Sequence, residues 1–212
     1  MTVAAAEPLL RAVGLAKHWD PSSGLSRLWL DLVPGEVVVI RGRSGSGKST
    51  LLALLAGWCD PDEGTIERIG GWAGCWREWR STSVVPQVLG LANELSVAEN
   101  LEHVLRLGGA SLSDARRSSN ATIDALDLTE LSRRLPREIS LGQQQRVAVG
   151  RATIIQPRLL LADEPTSHQD RSHASTIVEA LRTAAATGSS VLITSHDPSV
   201  AAAADRVVSL DD

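Results

Sequence analysis

Gly42, Gly45 and Gly47 punctuate the run Gly42-Arg43-Ser44-Gly45-Ser46-Gly47-Lys48-Ser49, which ends in an ammonium and a hydroxyl. Glycines let consecutive backbone amides turn toward one anion. Lys48 adds a charge suited to β- and γ-phosphates, and Ser49 offers a hard oxygen to Mg2+. A second pair, Asp163 and Glu164, follows the apolar Leu159–Leu161. Asp163 is placed to hold a Mg2+ shell through water, and Glu164 to polarise a water attacking a γ-phosphate. Taken by itself, an Asp-Glu pair reads equally well as helix-capping acids. His196 ends SSVLITSHD and Gln87 ends TSVVPQ. Either alone is an ordinary structural or loop residue, and their shared position at strand ends sets them apart. Finally, Ser140 and Gln143 in ISLGQQQRVAVGRA have the spacing of a capping box, ahead of a helix whose bare amides and dipole suit an anion.

These groups need elements to hold them. Glu36–Arg41 is β-branched and apolar, as a buried parallel strand should be, and Lys48–Trp58 repeats leucines at helical spacing. The glycine run between them therefore meets the P-loop pattern G-x-x-x-x-G-K-[ST] in the strand-to-helix context that gives it meaning, and predicts a bound nucleoside triphosphate. Leu159–Leu161 predicts another buried strand with Asp163 and Glu164 at its carboxyl end, where ligands lie in doubly wound sheets.

Composition narrows the class. A chain of 212 residues fits one large domain or a core with an insertion. Net charge is −4 and the pI about 5.7, so no broad electrostatic footprint for nucleic acid or anionic lipid is expected. No apolar run is long enough to span a bilayer, and MTVAAAEPLLRAVG lacks the charged head and apolar centre of a leader, so the chain is read as cytosolic. Cys59 and Cys75 form no CxxC pair and no ligand cluster with the five histidines. With six Trp and no Phe or Tyr, Leu, Val, Ile and Ala must fill the core.

In this order the motifs resemble the ATP-binding cassette (ABC) family of transporter ATPases. GRSGSGKST, through Thr50, matches Walker A; VVPQ the Q-loop; ISLGQ the signature; LLLADE Walker B; SHQD the D-loop; and TSHD the switch histidine. LADEPTS, ELSVAENL and HDPSVAAAADRVVSL resemble the subgroup serving macrolide-export, lipoprotein-release and cell-division complexes. The resemblance implies an α/β P-loop NTPase (RecA-like) fold, a mixed sheet with an antiparallel β layer around the N-terminus and residues 60–72. The nucleotide-binding core would comprise residues 1–88 and 152–212, interrupted by a helical signature subdomain at about 89–151.

The resemblance further implies ATP and Mg2+ as ligands, with Gln87 joining Ser49 and Asp163 at the metal. Trp19 in KHWD falls where the family stacks an aromatic on adenine, with ordinary core packing the alternative. Two cassettes, identical or different, would pair head to tail, so that Ser140, Gly142 and Gln143 of one copy meet the ATP on the other's P-loop. Asp170 would communicate across the pair or simply end a turn. A separately encoded transmembrane permease would hold the pair peripherally on the inner face of the cell membrane. Leu141 replaces a glycine of the family's LSGGQ. As the first helical residue it needs only ordinary angles, so its risk is steric.

Trp72, Trp76 and Trp79 recur at helical spacing, either as a core stripe or as a docking face for a membrane partner. Arg116-Arg117 and Arg133-Arg134 read as solvated helix charges. Two other functions fit the family. A non-transport cassette acting on DNA or ribosomes is disfavoured by net acidity and by the absence of a sustained heptad run; a slow, ATP-gated regulatory subunit would follow if Leu141 disables turnover.

Overall fold

A computed structural model describes residues 7–20, 23–69 and 80–211. The chain runs β1 (Leu10–Asp20), β2 (Ser23–Leu32), β3 (Val37–Arg41), α1 (Lys48–Ala56), β4 (Glu63–Arg68) and β5 (Thr82–Val85). It continues through α2 (Val97–Leu107), α3 (Leu112–Ala125), α4 (Leu141–Thr153), β6 (Leu159–Asp163), α5 (Arg171–Ala186), β7 (Ser190–Thr194), α6 (Pro198–Ala202) and β8 (Arg206–Ser209). Trp72, Trp76 and Trp79 lie outside the described residues.

The strands divide into two sheets, a parallel one ordered β5-β6-β7-β3-β8 and an antiparallel one ordered β2-β1-β4. The antiparallel layer joins the N-terminal residues to β4, within the stretch expected at 60–72. In the parallel sheet, Val37–Ile40, Leu159–Ala162 and all of β7 are buried, because layers cover both faces. Alternation sorts their side chains. Val38, Ile40, Leu159, Leu161 and Leu192 face α1 and the antiparallel sheet. Val37, Val39, Leu160, Ala162, Val191 and Ile193 face the opposite way, against α4 and α5.

Helix α1 lies between the two sheets, which is why Leu51, Leu52, Leu54 and Leu55 are all buried rather than forming one stripe. Gly57, in the left-handed region at φ 72°, ends it two residues before Trp58, the expected end.

The helices after β5 gather around a core of their own, in which Val97 and Leu101 of α2 meet Ile123, Leu126, Leu128, Ile139 and Val147. Helix α4 also contributes Ala148, Val149 and Ala152 to the cluster under the parallel sheet. It therefore belongs to both cores, and a boundary at residue 151 falls inside it.

Candidate nucleotide-binding site

Strand register brings the motifs together. Ile40 pairs with Thr194, Thr194 with Asp163, and Ala162 with Val85, so four neighbouring strands end level. His196 and Gln87 each follow their strand's last paired residue by two positions, while Gly42 follows Arg41 and Glu164 follows Asp163 directly. Together these residues border a cleft of about 590 Å³.

Its floor is the P-loop. Gly47 caps α1 in the left-handed region at φ 94°, and a side chain there would run into the Gly24 carbonyl of β2, so only glycine fits. Lys48 folds over its own loop, its Nζ donating to the carbonyls of Gly42 (2.6 Å) and Arg43 (3.1 Å). Arg43, Ser44, Gly45, Ser49 and Thr50 also line the cleft. Ser46 does not; its buried hydroxyl sits behind Gly42 without a hydrogen-bond partner. The Arg43 amide donates to the Asp211 carboxylate at 2.9 Å, tying the loop to the residues after β8.

Trp19 forms one wall. At 56% exposure it is not a core residue, which removes the packing alternative. Its indole Nε1 donates to Thr50 Oγ1 at 3.0 Å, and the Lys17 ammonium lies 5.1 Å from its ring centroid. Asp62 anchors this end of β1, accepting from Lys17 Nζ and from the His18 amide, each at 2.8 Å. Those two bonds hold the Asp62 carboxyl below the usual carboxylate range.

Opposite the P-loop, the Ser49 hydroxyl donates to Asp163 Oδ2 at 2.9 Å, and Thr194 Oγ1 to Asp163 Oδ1 at 2.6 Å. His196 Nδ1 lies 3.0 Å from Glu164 Oε2; the histidine side chain is exposed and the glutamate largely covered. Glu164 has φ 46°, left-handed and unusual for a non-glycine residue, and its amide donates to the Thr194 carbonyl at 3.0 Å. Ser49 and Asp163, with Gln87 on the same cleft, offer oxygen donors that suit Mg2+ sharing its shell with phosphate and water. Among the described residues no three or more His, Cys, Asp or Glu gather as a metal cage.

The signature segment adopts the capping box its spacing predicts. The Ser140 amide donates to Gln143 Oε1 at 2.8 Å and Ser140 Oγ accepts from the Gln143 amide at 3.2 Å. Leu141 opens α4, 49% exposed. Gly142 has a reason to be glycine within its own chain, because a Cβ would stand 2.6 Å from the His168 carbonyl oxygen. Ser140, Gly142, Gln143 and Asp170 do not line the cleft. Asp170 caps α5, and its carboxyl is held well below the usual range by the His173 amide, the Ser172 hydroxyl and the His173 ring.

Sequence reasoning missed Thr194 and Gln145. The threonine was one polar residue ending an apolar strand, and the glutamine one of three in a row. Gln145 is 2% exposed, and its Nε2 donates to the Glu164 carbonyl at 3.0 Å.

Comparison with known proteins follows the same outline. The model of the family described as ABC transporter matches residues 25–167. The lipoprotein-releasing system ATP-binding protein LolD of Pseudomonas syringae pv. tomato is 37% identical over 88% of this chain and 86% of its own length. An uncharacterized ABC transporter ATP-binding protein of Mycobacterium tuberculosis is 36% identical over 90% of this chain, which spans 59% of that relative. Among solved structures, the ATP-binding cassette MJ0796, dimeric in a post-hydrolysis state with ADP and Pi, superposes with a TM-score of 0.81. Its identity is 27%, over 94% of this chain and 93% of that one. On family model, relatives and fold alike, the chain belongs to the ABC transporter family, as an ATP-binding cassette.

Proposed function

We propose that this cassette hydrolyses ATP with Mg2+ and, paired with a second cassette, drives a transmembrane permease. The observation that carries the reading is the convergence of Lys48, the Ser49–Asp163 pair and the Glu164–His196 pair on one cleft walled by Trp19. Trp19 stacks the base, while P-loop amides and Lys48 take the β- and γ-phosphates. Ser49, Asp163 and Gln87 would hold Mg2+, which neutralises charge developing on the phosphates. Glu164 accepts a proton from the attacking water, and His196 orients its carboxylate.

The second cassette is inferred from Ser140, Gly142 and Gln143. The capping box holds the Ser140 and Gln143 amides, so their helix tip offers those of Leu141 and Gly142; it lies outside the chain's own cleft and suits a phosphate held by another copy, like or unlike. Among the described residues no helix is long and apolar enough to cross a membrane. The permease of this reading is a separately encoded element, and attachment to the inner face of the membrane runs through it. Glu164→Gln should retain ATP binding, lose turnover and accumulate an ATP-bound dimer. Gel filtration showing only monomer at saturating ATP and Mg2+ would contradict the pairing.

A further inference from the structure

Two glutamines join the α4 tip to the cleft it does not line. Gln169 Nε2 donates to the Gly142 carbonyl at 2.7 Å and approaches Gln145 Oε1 at 3.4 Å. Gln145 Oε1 also accepts from the His168 amide at 3.4 Å, and its Nε2 reaches the Glu164 carbonyl. The close approach of Gly142 to His168 makes the first turn of α4 and residues 168–169 one packed unit. The far end of that unit is the backbone of Glu164.

That backbone needs holding. An L-residue at φ 46° persists only where its surroundings over-determine it. The Glu164 amide is fixed by Thr194, and the carbonyl by Gln145 at 3.0 Å and by the Ser167 amide at 3.2 Å. Without Gln145 the carbonyl loses its side-chain donor and keeps only the longer bond from the Ser167 amide, and relaxation toward ordinary helical or extended angles would carry the carboxylate away from His196.

We propose that Gln145 and Gln169 are positioning residues, a relay through which the state of the α4 tip sets the place of the Glu164 carboxylate. An anion seated on the Leu141 and Gly142 amides moves the Gly142 carbonyl, and the two side-chain amides pass that movement to Glu164. The inference rests on Glu164 as the base that accepts the water's proton. It links the seam between copies to the chemistry inside each.

The test measures kcat and KM for ATP in the full chain carrying Gln145→Leu, Gln169→Leu, Gln169→Glu or both leucines, beside Glu164→Gln. Gln145→Leu should lower kcat ten- to a hundredfold, the order expected for a lost hydrogen bond to a buried group. ATP affinity by calorimetry should stay within about twofold, since no P-loop contact changes. The double variant should be no slower than Gln145→Leu, because the two act in series. Gln145 is buried, so its variant can fail by misfolding; Gln169 is only half-buried and carries the test by itself. Gln169→Glu keeps the shape but has no donor, and it should lose kcat as Gln169→Leu does, about three- to tenfold. Wild-type kcat in both Gln169 variants, with Glu164→Gln inactive, overturns the relay alone. Wild-type turnover in Glu164→Gln overturns the base assignment and the relay with it.

Discussion

Thr194→Val removes one hydroxyl and keeps the shape of a fully buried side chain. The lost bonds are the 2.6 Å donation to Asp163 Oδ1 and the 3.2 Å donation from the Glu164 amide to Thr194 Oγ1; the first, to a charged group, is worth about 1.5–3 kcal/mol. Two features reduce the cost to folding. Asp163 Oδ2 keeps the Ser49 hydroxyl, and the Glu164 amide keeps the Thr194 backbone carbonyl, so neither is orphaned. We expect a net loss of about 1 kcal/mol, or a Tm lower by about 2–4 °C in a chain of this size. The effect on Mg2+ should be larger, because Asp163 then turns freely about one remaining contact. Loss of such a partner to a ligating carboxylate weakens metal binding about 10- to 100-fold. ATPase rate titrated against Mg2+ at saturating ATP reads this as a rightward shift, with near-normal rate restored at high Mg2+. An unchanged Mg2+ midpoint, with Tm lowered as expected, would refute the claim that Thr194 aims Asp163 at the metal.

Three other outcomes are expected. Trp19→Ala should raise KM for ATP about two- to tenfold, the stacking contribution of ~0.5–1.5 kcal/mol, with kcat unchanged; a kcat effect would show that Trp19 does more than hold the base. Leu141→Gly should speed hydrolysis severalfold in the assembled dimer by removing an isobutyl group from the seam, while glycine in the first turn costs about 1 kcal/mol of helix. No change in rate, or a fall, would refute the steric account of Leu141. Because the Asp170 carboxyl titrates below its unfolded value of about 3.9, its stabilising effect is complete above that value and disappears as pH falls through the folded one. The Tm gap between wild type and Asp170→Ala should thus be full at pH 6 and narrow below about pH 4; a gap constant down to pH 2.5 would contradict it.

What the sequence disclosed followed the physics of burial. Strands covered on both faces must be apolar throughout, so Glu36–Arg41 and Leu159–Leu161 stood out, and the polar residues at their ends marked the cleft. The Ser140–Gln143 capping box was legible because its bonds run between neighbours in the chain. Thr194, Gln145 and Gln169 were not, since each works through a partner fixed only by packing: Asp163 from the next strand, Glu164 from a loop 19 residues on, Gly142 from a helix 27 residues earlier. Gly142 showed a similar limit. The type of residue was read from the family's pattern, but its neighbour, the His168 carbonyl, emerged only in three dimensions.

The level strand ends make chain length itself a constraint. One residue inserted in β7 before Thr194 would advance His196 by about 3.3 Å and turn each following side chain to the other face of the sheet. One deleted from β6 would carry Asp163 out of reach of Ser49 in the same way. The opposite rim bears no such penalty, for the turns at Gly35 and Gly188 lead into strands without setting where they stop. Insertions and deletions tolerated by this cassette should therefore collect at one pole of the molecule, leaving the other as a fixed gauge.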